Sequence, residues 1–272
     1  MRAILLLAAL AMAAADGGGA QFQLPRPNRL PLASDPSGNI PNYDGGFRFC
    51  RLVFQNGYAG DGDGWYVDYP RADLNLSIRL GELTRAPVTH DMEGNPDPVV
   101  VRLTDPALFR CPFVMMSEPG GSFFRPEEAA NLRAYLLKGG FLWADDFWGS
   151  LAWSNWTNQI AKALPPSEYP IQDLPISFSM FNMLFPIEVL PQIPNVGLWR
   201  MARQTSERGL DSAEPHIRGI YDKHGRVIVL MTHNTDFGDA YERESEDPSY
   251  FRTFSINGYA IGIDVLLYAM TH

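Results

Sequence analysis

Four short apolar runs punctuate the chain, at residues 47–54, 99–103, 113–117 and 141–144, and turn-forming or acidic residues follow each of them. Runs of that length predict strands, and those apolar at nearly every position predict strands covered on both faces. Helical spacing fills the intervals. Pro70 opens a pattern with Leu76, Leu80 and Leu83 on one face; a first-turn proline suits a helix start. Pro126 opens a second, with Glu127 and Glu128 at its positive end, a stripe of Ala129, Leu132 and Leu136, and a stop at Gly139-Gly140. Residues 153–164 predict a third helix, and Ala260, Ile263, Leu267 and Met270 mark a last one within 254–270. Residues 217–221 and 226–232 predict a hairpin around Asp222-Lys223-His224-Gly225. Between 165 and 194, seven prolines break the chain into loops and short extended pieces. Strands alternating with helices imply right-handed crossovers. The expected fold is therefore α/β, a mainly parallel, doubly wound, flavodoxin-like sheet with a late antiparallel hairpin.

Composition adds boundaries. Residues 1–20 carry one early Arg and then an apolar stretch too short for a bilayer, the pattern of a signal peptide, with small residues before a cut after Ala15 or Ala20. An exported protein, periplasmic or extracellular, is expected. Residues 21–46, rich in Gly, Pro and Asn, read as an extended leader, and 47–272 as one domain with no further membrane segment. The net charge of −9, without a Lys/Arg cluster, argues against nucleic acid and anionic lipid as partners. Two cysteines, Cys50 and Cys111, leave open a disulfide or two buried thiols, and with five scattered histidines they make no zinc signature.

Candidate chemistry gathers where strands end, because open parallel sheets bind ligands beyond their carboxyl edge. Asp145 and Asp146 close the 141–144 run; on a continuing strand their side chains point to opposite faces, so only one leads into a crevice. Such a residue can act as general acid or base or as a metal ligand, whereas the structural alternative is a helix cap or an Arg partner. Asp63, Asp68 and Asp73 lie on or near the loop after the first strand, on the same edge. Asp61-x-Asp63-Gly64 begins like a calcium loop, but Trp65 and Ala72 occupy positions where ligands belong, so that motif fails. His233, Asp236 and Asp239 follow the 226–232 strand and could supply a base or a metal ligand, or form a loop satisfied by its own backbone. Trp65 and Trp148, beside Gly-containing loops, are the expected crevice-facing aromatics, and Trp143 is expected in the core. Asp145, Asp146, His233 and Asp236 are thus the catalytic candidates, and Asp63, Trp65, Asp68, Asp73, Trp148 and Asp239 the ligand-binding ones. No cofactor is indicated, and metal binding stays open.

The segments Gly64-Trp65-Tyr66-Val67-Asp68-Tyr69-Pro70-Arg71-Ala72-Asp73, 139–146, Asp236-Phe237-Gly238-Asp239-Ala240-Tyr241 and Tyr268-Ala269-Met270-Thr271-His272 together resemble an uncharacterised bacterial domain family. Its members are often exported or membrane-attached, and its fold is similar to that of class I glutamine amidotransferases and trehalose-utilisation-like proteins. The resemblance runs from residue 47 to the end. It implies that the nucleophile elbow of the amidotransferases falls at Asp145 or Asp146, where no cysteine stands. Thiol chemistry is therefore not expected, and a Gly-x-Ser-x-Gly elbow is absent too. What remains is a non-thiol domain with an acidic, aromatic crevice for a small polar ligand or envelope component, such as a carbohydrate or peptide. The alternatives are a carboxylate-dependent hydrolase, with or without metal assistance, and an envelope interaction module using residues 165–194.

Overall fold

A computed structural model describes residues 44–272; the expected signal peptide and most of the expected leader lie outside them. The apolar runs form strands β1 (Cys50–Val53), β3 (Val99–Arg102), β4 (Val114–Ser117) and β6 (Leu142–Phe147), with two-residue strands β2 (Gln55–Asn56) and β5 (Ser122–Phe123) between them. Helices α1 (Arg71–Leu83), α2 (Pro126–Leu137) and α3 (Gly149–Ala163) alternate with the strands. The remaining elements are β7 (Ile171–Asp173), α4 (Val196–Ala202), β8 (His216–Tyr221), β9 (Val227–His233), α5 (Phe237–Glu242), α6 (Pro248–Tyr250) and α7 (Ile256–Thr271).

The central sheet has seven strands in the order β3-β1-β4-β6-β9-β8-β7, while β2 and β5 pair separately. The first five are mutually parallel, and β8 runs antiparallel to both β9 and β7. Among the parallel strands the chain goes outward from β1 to β3 and returns to β4, so the order reverses between β1 and β4, the switch point of a doubly wound sheet. The expected fold class holds, and β7 is an edge strand that the proline-rich sequence concealed.

Alternation along the strands divides the core. Cys50, Leu52, Val114, Met116, Leu142, Ala144, Val229 and Met231 pack on the face carrying α2 and α3. Phe49, Phe113, Met115, Phe141, Trp143 and Leu230 pack on the face carrying α1, α5 and α7. The last turn-helix run, Pro248–Thr271, has the length and hydropathy of a membrane span, but 67% of its apolar window is buried inside the domain, as suits a core helix. Cys50 and Cys111 form a disulfide across 61 residues, tying β1 to the segment before β4.

Two local features differ from expectation. Helix α3 starts at Gly149 rather than near residue 153. Its first turn lacks a capping side chain of its own, and Asp211, from a distant loop, accepts the Ser150 amide at 2.8 Å instead. The proline-rich stretch is held from outside as well: buried Asp264 of α7 accepts the amides of Met183, Leu184 and Phe185 at 3.3, 2.8 and 3.1 Å.

Candidate functional site

Glu118, Asp146 and Asn234 stand at or just past the ends of β4, β6 and β9, and Asp68 stands in the loop that leads from β1 to α1. All four have left-handed backbones, at φ 49, 58, 62 and 64 respectively. Each such non-glycine conformation costs about 1 kcal/mol or more. Four of them at one edge of the sheet mark a place where side-chain direction outweighs local stability.

The bulge at Asp146 separates the two adjacent carboxylates. Asp145 pairs in register with Thr232, the next paired residue is Phe147 opposite His233, and Asp146 is the extra residue between. Asp145 keeps the direction of Trp143, toward α5. There it accepts the Thr232 hydroxyl at 2.5 Å and the amides of Phe237 and Gly238 at 2.9 and 3.2 Å. Asp145 thus anchors the start of α5, and burial pushes its carboxyl up to about 7 against the pull of those donors.

Asp146 instead meets Asp68 and Asp236. One carboxylate oxygen from each of the three lies within 4.8 Å of the others. They are 5%, 6% and 4% exposed, which is too little for ordinary hydration. Asp146 accepts the indole N–H of Trp148 at 2.9 Å, and Asp236 accepts the amide of Asp239 at 2.7 Å as the N-cap of α5. Oδ2 of Asp68 has no hydrogen-bond partner among the described residues. This carboxylate lies close against Gly238, where an added Cβ would fall 2.1 Å from Oδ2. Burial, followed by repulsion from neighbouring carboxylates, pushes all three acids well above the usual carboxylate range. For Asp146 those neighbours begin with Glu118 and Asp68.

Asp68 also belongs to a second acidic set with Asp239 and Glu242. That set contains its own cation. Arg243 Nε lies 3.4 Å from Asp239 and 2.7 Å from Glu242, and Asp239 also accepts the Val196 amide at 2.9 Å.

The other sequence candidates take different places. Asp73 forms a two-pronged ion pair with Arg51, both fully buried, while Arg51 Nη1 also donates to Ser117. This pair locks α1 to the sheet and uses up the Asp73 carboxylate. Asp63 is exposed, and it is its backbone amide that takes part, donating with the Gly64 amide to Glu118. Trp148 is buried rather than open to a crevice, its N–H directed to Asp146. Trp65 packs partly buried beside Tyr66 and Tyr69.

His233 stands apart from the acids. Its ring lies on the α3 side, 5.0 Å from Phe147 and 5.1 Å from Trp153, with Nε2 at 3.0 Å from the Gly149 carbonyl. Burial lowers its pKa to about 4, so the ring is neutral at ordinary pH. Its Nε2 proton is held by a backbone carbonyl, so in this geometry it does not act on a ligand at the acidic cluster.

Two further residues belong to the neighbourhood. Glu118, raised to about 7 by burial, is next to Asp146, and its sequence signal was its place at a strand's carboxyl end. Arg208 reaches across the rim to Asp61, 2.7 Å away. Sequence pattern carried no signal for that contact, which spans 147 residues.

No curated protein matches the chain. Residues 48–270 match the family model described as a domain of unknown function, DUF4159, and that match covers most of the chain. The protein that brings Asp68, Asp146 and Asp236 to one point is therefore a member of the DUF4159 family.

Proposed function

We propose that this is a non-thiol ligand-binding domain whose acidic centre at the carboxyl edge of the sheet takes a small polar ligand. The observation that carries the proposal is the convergence of Asp68, Asp146 and Asp236, three buried carboxylates from three separate segments, one of which, Asp68, has an oxygen without a hydrogen-bond partner among the described residues. Folding three acids together out of water is unfavourable unless something balances them. A ligand bringing positive charge or hydroxyl donors would do so, which keeps amino sugars, oligosaccharides and cationic peptides in view. An amidotransferase-like architecture fits this reading: Asp146 occupies a strained strand-to-helix turn, where such enzymes carry their cysteine. Export fits as well, since the Cys50–Cys111 disulfide suits an oxidising compartment.

A carboxylate-dependent hydrolase is the second reading. It is favoured by Glu118, whose pKa of about 7 beside Asp146 suits a group that both gives and takes protons near neutrality. Thermal shift with a panel of amino sugars, oligosaccharides and short cationic peptides tests the first reading. A true ligand at 100 times its Kd stabilises the native state by about 2.7 kcal/mol, and the effect should vanish in Asp146→Asn. Ligands that bind this variant as they bind the wild type would locate the site elsewhere. Turnover of chromogenic esters or glycosides that disappears in Asp146→Asn, with binding retained, would establish the hydrolase.

A further inference from the structure

We propose that Asp68, Asp146 and Asp236 bind a hard divalent cation, as the fixed part of the ligand site inferred above, on which reading this proposal rests. The donor set consists of oxygens. His233 is turned into the Phe147–Trp153 stack, His216 of the next strand stacks on His233, and the two cysteines are joined in a disulfide. Carboxylate-only sets suit calcium, magnesium or manganese rather than zinc or copper.

The spacing fits. Two oxygens on opposite sides of an ion at about 2.4 Å are about 4.8 Å apart, within the range of Ca–O distances. Oxygens of the three carboxylates, all within 4.8 Å of one another, are close enough for one ion to reach all three. Magnesium dehydrates reluctantly and demands near-ideal octahedral geometry, so a carboxylate set of this kind suits calcium better.

The cluster is more than a collection of acids. Asp68 is 94% buried (6% exposed), and its Oδ2 has no hydrogen-bond partner among the described residues. A buried carboxylate oxygen without a donor is unfavourable unless a cation completes it. Asp146 and Asp236 each accept one donor on the protein side, from Trp148 and from the Asp239 amide, contacts that orient a ligating carboxylate. The neighbouring set of Asp68, Asp239 and Glu242 is already served by Arg243. The cation therefore belongs on the Asp146 side of Asp68.

Calorimetric titration of chelator-treated protein with calcium, manganese and magnesium chlorides tests the assignment, with Tb³⁺ luminescence sensitised by Trp148 as a second readout. The expected result is one ion per chain, calcium bound more tightly than magnesium, and terbium emission quenched by calcium. Asp146→Asn and Asp236→Asn should each weaken binding at least ~100-fold, with circular dichroism unchanged, while Glu242→Gln stays within about twofold of wild type. Absence of binding to the wild type, or equal weakening by Glu242→Gln, would overturn the cation site. The wider ligand reading would then stand or fall separately, on the Asp146→Asn comparison with organic ligands in chelator-treated buffer.

Discussion

Asp73 and Asp146 are both buried acids at the same edge of the sheet, yet replacing each with its amide should have opposite consequences. Asp73 compensates Arg51, which is 0% exposed and donates to Ser117 from its remaining nitrogen, Nη1. Asp73→Asn preserves volume, so packing is untouched and the loss is electrostatic. A fully buried guanidinium left without its anion costs about 3–5 kcal/mol. With an m-value of about 3 kcal/mol/M, the urea midpoint should fall by about 1 to 1.7 M. Among the described residues Asp146 has no ion-pair partner, and it is repelled by Glu118 and Asp68. In metal-free protein, Asp146→Asn should therefore leave the midpoint unchanged or raise it, as expected where a site trades stability for function. Urea unfolding followed by tryptophan fluorescence, at one pH and in chelator, compares the variants directly. The double replacement Arg51→Met with Asp73→Leu should recover most of the loss, because a buried pair is readily exchanged for apolar packing. A loss below about 1 kcal/mol for Asp73→Asn, together with a large one for Asp146→Asn, would reverse the assignment of frame and site.

Three further outcomes are expected. Removing the Cys50–Cys111 bond, which closes a loop of 61 residues, should cost about 4 kcal/mol on the chain-entropy estimate, and unfolding with and without reductant would show it; equal midpoints would refute it. Gly238→Ala places a methyl 2.1 Å from Asp68 Oδ2, so the carboxylate must move; calorimetry should find cation affinity reduced more than tenfold for a stability loss of about 1–3 kcal/mol, and retained affinity would count against the geometry. The metal-free protein should also lose stability as pH rises. Folding raises Asp145 and Glu118 from 3.8 and 4.5 to about 7, so the stability they contribute is complete below their unfolded values and lost as pH climbs through about 7. His233, lowered from 6.5 to about 4, acts oppositely, but only below 6.5. Unfolding free energy should therefore fall on balance between about pH 4.5 and 7.5, most steeply from about 6.5 to 7, and level off above, and a rise across that window would contradict these shifts.

The fold was legible where burial imposes a period. Residues 113–117 and 141–144 read as strands because both their faces are covered, and the strand-helix alternation was enough to place the acids at a carboxyl edge. What pattern could not carry was contact across the chain. Asp145 and Asp146 are equivalent in sequence; they part because a left-handed bulge turns one aside and because amides 92 and 93 residues away claim the other. Asp73 looked like one more acid of the loop until Arg51, 22 residues earlier, met it. His233 sat among carboxylates in sequence, but its ring is fixed by Phe147 and Trp153 on the other side of the sheet edge. Glu118 directly follows the 113–117 run, so its strand-end position carries the same sequence signal as Asp146. The stretch around residues 183–185 has no period to read, because its amides are satisfied by Asp264 and not by a ladder of its own.

Diffraction from crystals soaked in manganese chloride, recorded at a wavelength where manganese scatters anomalously, tests the central claim most directly. The account predicts one strong peak per chain at about 2.1–2.5 Å from carboxylate oxygens of Asp68, Asp146 and Asp236. A peak at Asp239 and Glu242 instead, or none within reach of Asp146, would contradict it.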